Sequence, residues 1–224
     1  MESIAVSPKQ ALQLNWWLTI AIVFYLLDTF VGFRTTTPLS HSTGLDILLD
    51  LFGSTFFQQT FSLVYRLSYL WILGFIAKNF NQIKSPSSSI IWIWFGLKAT
   101  LTVLLYIPFI FANPLIAKVA LVMNLFEVIL IVWLGSLLIL NHHKRLYQLG
   151  WALVITQIIM LLPQLISILL RSQSDASEVQ TFLTNMMYGL LKNWRYLYAL
   201  FTVWIFISMR RIFSVPELSD LKDT

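Results

Sequence analysis

The side chains able to do chemistry in this chain are a few charged and polar residues set inside long apolar runs. Lys98 stands in IIWIWFGLKATLTVLLYIPF (90–109) and Glu127 in LVMNLFEVILIVWLGSLL (121–138), each without another charge in its run. Asp28 and Arg66 are isolated in the same way. An ionisable group far from water is costly, so it faces the interior of a bundle and has a partner. These four residues therefore suggest intramembrane ion pairs, or the lining of a polar pathway.

Catalytic constellations are thin. His142 and His143 sit side by side in NHHKR, where adjacent helical positions point to different sides, and no acid lies near them in sequence. They read as basic residues at a membrane boundary, able to touch anionic headgroups. His41 follows a Pro-Leu-Ser turn with no acid beside it. Asp46 and Asp50, four residues apart in GLDILLDLFGSTFF (44–57), could hold a divalent cation, but the same spacing describes the wet face of an interfacial helix. No HExxH, GxSxG or P-loop pattern occurs, and there are no cysteines. No catalytic residue, cofactor or metal site is expected.

Composition explains the setting of these residues. Of 224 residues 58% are hydrophobic and 11% charged, with 17 Phe and 9 Trp; a soluble domain carries about 25% charged residues. So few charges cannot cover a water-facing surface, and the lipid bilayer is the expected partner. The net charge of +5 is spread over the ends of apolar runs rather than along a strip, which argues against a nucleic-acid partner.

Apolar runs at about 15–33, 60–80, 90–111, 118–140, 146–170 and 188–209 are expected to be transmembrane helices, since about 20 apolar residues cross the hydrocarbon core. Lipid offers no hydrogen bonds to backbone, which favours helices, and nothing alternates like barrel strands. The expected fold is all-α, a single six-helix membrane domain over residues 1–224. The first run should stay attached as an anchor, because it is too long for a signal peptide. Segments 44–57 and 178–191 are expected to be amphipathic and interfacial, the second alternatively an outward extension of the last helix.

Orientation follows from the basic residues. With the N-terminus inside, Lys9, Lys78, Lys84, Lys144, Arg145, Arg210, Arg211 and Lys222 are cytoplasmic, against Arg34, Lys118 and Arg171 outside and Lys192 and Arg195 near that edge. Both termini are expected in the cytoplasm of a bacterial cell, with the chain in its inner membrane.

Depth identifies the partners. Asp28 lies five residues before the outer end of the first run and Arg66 six inside the outer start of the second, both roughly 8–9 Å down. Lys98 lies roughly 12 Å from the inner surface and Glu127 roughly 16 Å, less than one helical turn apart. The predicted pairs are therefore Asp28–Arg66 and Lys98–Glu127. Asn124 and Gly135 are expected on the face of Glu127, Thr102 on that of Lys98. Gly150, Gln157, Gln164 and Arg171 recur at intervals of seven, with Pro163 as a kink. Such faces serve either as interhelical glue or as a pathway through Arg66, Lys98, Asn124, Glu127, Gln157 and Gln164; deep cations would suit an anionic ligand or lipid headgroup. Trp16, Trp17, Trp92, Trp94, Trp151 and Trp194 are expected to form an aromatic belt at headgroup level.

Without a soluble domain, the expected function is non-enzymatic: a scaffold, assembly factor or accessory subunit of an envelope complex, with other membrane proteins as partners. A small-solute or lipid transporter using the charged pairs is the alternative, and an intramembrane enzyme the third.

Overall fold

A segment that cannot bond its backbone to water must bond it internally, and most of this chain does so as helix. The computed structural model describes residues 4–34, 55–106, 114–140, 144–172 and 178–215. These form α1 (Pro8–Arg34), α2 (Thr55–Gln82), α3 (Ser87–Tyr106), α4 (Pro114–Leu140), α5 (Lys144–Ser172) and α6 (Glu178–Arg211), with short strands β1 (Ile4–Ala5) and β2 (Phe213–Ser214). Among the described residues four helices are long and apolar enough to cross a membrane, over Pro8–Thr29, Gln59–Gln82, Ser87–Leu104 and Lys118–Leu140.

Local chemistry sets several ends that hydropathy misjudges. α1 starts at Pro8, not near residue 15, because Ser7-Pro8-Lys9-Gln10 is a capping box. Gln10 N donates to Ser7 Oγ at 3.3 Å and Ser7 N donates to Gln10 Oε1 at 3.0 Å. Proline at the first helical position loses no hydrogen bond. α2 ends in a Schellman turn, with Ser85 N donating to Phe80 O and Lys84 N to Asn81 O, both at 3.0 Å. Lys84 takes the left-handed position usually held by glycine, at φ 52°. Residues 178–191 are not a separate surface element but the first part of α6, which runs unbroken for 34 residues. Residues 44–54, with Asp46 and Asp50, and His41, His142 and His143 lie outside the described residues.

The helices form a closed ring in which each packs on its neighbours in sequence and α6 returns to α1. Aromatic pairs fix the antiparallel run of α1 and α2: Trp17 stacks on Trp71 at 5.3 Å, Tyr25 meets Tyr65 at 5.0 Å, and Phe24 meets Phe61 at 5.8 Å. All six helices contribute to the core, through residues such as Leu14, Ile72, Trp94, Leu134, Leu153 and Phe206. Large apolar residues also point outward, among them Leu12, Val23, Leu67, Ile93, Leu121 and Ile129. Hydroxyls are hidden by bonding one turn back: Thr102 Oγ1 donates to Lys98 O, Thr156 Oγ1 to Ala152 O, and Ser68 Oγ to Val64 O.

The two ends of the chain are clasped. β1 and β2 pair in parallel, with Ile4 N donating to Ile212 O at 2.9 Å and Val6 N to Ser214 O at 3.0 Å. Arg210 Nη1 donates to Phe213 O at 3.0 Å, and its Nε donates to Asn15 Oδ1 on α1. The start of α1 and the end of α6 therefore share one end of the bundle.

Candidate functional site: a charged triad between α3 and α4

Lys98 sits on α3 and Glu127 on α4, and the two helices pack together. Lys98 Nζ stands 2.8 Å from Glu127 Oε1. The same oxygen accepts the indole N–H of Trp94 at 2.9 Å. Trp94 precedes Lys98 by four residues, which places both on one face of α3. Glu127 Oε1 is thus held by one cation and one neutral donor. The Glu127 side chain keeps 8% of its surface, whereas Lys98 keeps 28%. A buried carboxylate loses its hydration, and both donors compensate for that loss.

The triad is anchored to an aromatic core. Trp94 is 2% exposed, and Tyr69 of α2 meets its ring edge-on at 5.9 Å. Tyr69 in turn contacts Phe206 of α6 at 5.7 Å, and Tyr65 contacts both Phe206 and Tyr69. Tyr65 reaches Tyr25 of α1. A relay of rings therefore links the charge on α4 to α1, α2, α3 and α6. Among the described residues, no fully buried side-chain nitrogen or oxygen lacks a hydrogen-bond partner.

Comparisons with family models, with characterised proteins and with solved structures find no match to this chain. Its geometry is therefore the only guide to its site.

Other residues singled out from the sequence fall differently. Asp28 and Arg66 lie on the packed helices α1 and α2. They do not form a direct ion pair; Lys98–Glu127 is the ion pair found among the described residues. Arg66 instead turns to its own helix, its Nε donating to Ser62 Oγ at 3.3 Å. Four residues of separation make that bond available without reaching across to α1. Asn124 is exposed on α4 rather than turned to the interior with Glu127. A three-residue step leaves about 60° of rotation around a helix, enough to carry an edge residue outward. Gln157 is buried on α5, a helix that borders α4 and α6 rather than α3. The side chains of Gln164 and Arg171 lie outside the described residues.

Gly135 and Gly150 are at the crossing of α4 and α5. A Cβ on Gly150 would stand 2.6 Å from Gly135 O, and one on Gly135 would stand 2.9 Å from Gly150 O. The two backbones touch there, as small residues permit at helix contacts in lipid.

Trp94 is the residue that a reading by position misassigns. Its place near the start of a run suggests the headgroup belt; Trp16, Trp92 and Trp151 are exposed, whereas Trp17 stacks on Trp71 against the core. Its four-residue offset from Lys98 is the signal for an inward role. Trp194 also turns inward, donating its N–H to Ile159 O on α5 at 2.8 Å.

Proposed function

We propose that the chain crosses a bacterial cytoplasmic membrane six times, with both ends on the cytoplasmic side. We further propose that it acts without chemistry of its own, as a scaffold, assembly factor or accessory subunit of a membrane complex. The observation that carries this reading is Asn124. Its amide is exposed on the outer face of α4 among the exposed apolar residues Leu121, Val122, Leu125, Phe126 and Ile129. An amide facing hydrocarbon is costly unless another helix supplies a hydrogen bond, and such bonds join transmembrane partners. Orientation is supported by Lys9, Lys78, Lys84, Lys144, Arg145, Arg210 and Arg211, which lie toward the clasped end. The triad then serves as internal glue, its carboxylate already engaged by Lys98 and Trp94.

A photo-crosslinking residue placed at Leu121 or Leu125 tests this reading in native membranes. Discrete adducts with a membrane protein are expected there and not from Val23 on α1. Asn124→Leu should weaken them about three- to tenfold, matching roughly 0.6–1.4 kcal/mol. Adducts with lipid alone from every position would sink the proposal.

The transporter reading draws on one observation, the partial exposure of Lys98 beside a buried carboxylate. On that reading Lys98→Gln abolishes solute movement and leaves expression unchanged.

A further inference from the structure

A cleft of about 350 Å³ lies between α1 and α6 near the clasped end, away from the triad. Most of the lining is apolar, from Leu18, Ile22, Phe206 and Ile207, while Asn15, Thr19, Arg210 and Arg211 add a small polar edge. From Asn15 to Ile22 the cleft follows α1 for roughly 10 Å, and its apolar part runs away from the arginines toward the middle of the helices.

We propose that this cleft binds an anionic phospholipid, with the phosphate at Arg210 and Arg211 and an acyl chain along Leu18, Ile22, Phe206 and Ile207. Charge complementarity carries the assignment. Lys9, Lys78, Lys84, Lys144 and Arg145 reinforce the positive field at this end; Glu2, Glu217, Asp220 and Asp223, near the chain ends, lie outside the described residues. Arg210 is already held in place: Nε bonds Asn15 Oδ1 and Nη1 bonds Phe213 O. The rest of its guanidinium fork can meet a phosphate without paying further to be ordered. Arg211 is exposed beside it. The apolar wall selects a lipid over a soluble phosphate, which would leave that half of the cleft unfilled. The site rests on the membrane reading above, but not on the scaffold role.

The test uses the full chain in nanodiscs of phosphatidylcholine with or without phosphatidylglycerol, counting retained lipids by native mass spectrometry and following thermal unfolding. Phosphatidylglycerol should be retained preferentially and raise Tm. Arg211→Gln should lower its apparent affinity about tenfold, and Ile22→Trp, which fills the apolar part, should also lower it. Lys144→Gln, at the same end but outside the cleft, removes only a share of the general field and should lower it less than about twofold. Arg210 is left intact because it also secures the clasp. Equal retention of both lipids, an equal loss in Lys144→Gln, or equal protection by inorganic phosphate would each overturn the site. Failure to enter discs of any composition would overturn the membrane reading together with it, whereas entry without lipid preference would overturn the site alone.

Discussion

The indole N–H of Trp94 and the ammonium of Lys98 converge on one oxygen, Glu127 Oε1, at 2.9 and 2.8 Å. Removing Lys98 leaves Glu127 buried without its counterion, whereas removing Glu127 leaves a partly exposed ammonium. Lys98→Met alone should therefore cost about 3–5 kcal/mol of stability, and Glu127→Met less. The double replacement should recover most of that loss, short of about 1–2 kcal/mol for the acceptor that Trp94 has lost. Thermal unfolding of the four proteins in one nanodisc composition gives the cycle. Purely additive losses would remove the triad as a cooperative unit.

Trp94→Phe separates the hydrogen bond from the packing. The ring against Tyr69 is largely kept, and the bond to an ionised acceptor is lost. A destabilisation of about 1.5–3 kcal/mol is expected. An unchanged Tm would mean that the indole donor contributes nothing.

The glycines offer a contrast within one protein. Gly150→Ala would set a methyl 2.6 Å from Gly135 O, so α4 and α5 must move apart at a cost of about 1–3 kcal/mol. Gly96→Ala on α3 meets nothing within 4 Å and should stabilise the helix by up to about 1 kcal/mol. Opposite signs in the two Tm shifts are the expected result.

Lys84 holds a left-handed conformation, at φ 52°, between α2 and α3. Lys84→Gly removes the clash of its Cβ with the following carbonyl and should raise stability by about 1 kcal/mol. A lowered Tm would show that the lysine side chain contributes more than the strain costs.

The clasp is tested by Ile4→Pro, which removes the N–H that donates to Ile212 O. The expected cost is about 0.5–1.5 kcal/mol. Faster amide exchange should be confined to residues near β1 and β2.

What the sequence determined by itself is one-dimensional. Apolar run length, the positions of breaks and the rise per residue are properties of the chain alone. They mark helices such as α3 and α4 and place Lys98 and Glu127 at nearly equal depth. The capping box at Ser7–Gln10 was equally legible, though hydropathy hides it behind Lys9, Gln13 and Asn15. Rotation about each helix axis, and which helices become neighbours, were decided only in three dimensions. Tertiary packing turned Trp94 inward to Glu127, left Asn124 outside, and let Arg66 bond Ser62 instead of pairing with Asp28. The same packing brought α6 back to α1, and with it the clasp and the cleft. Residues 15 and 210 share no local pattern. They meet because closing the ring adds packing contacts and hydrogen bonds, Arg210 to Asn15 among them, that an open bundle lacks, and no periodicity along the chain encodes that closure.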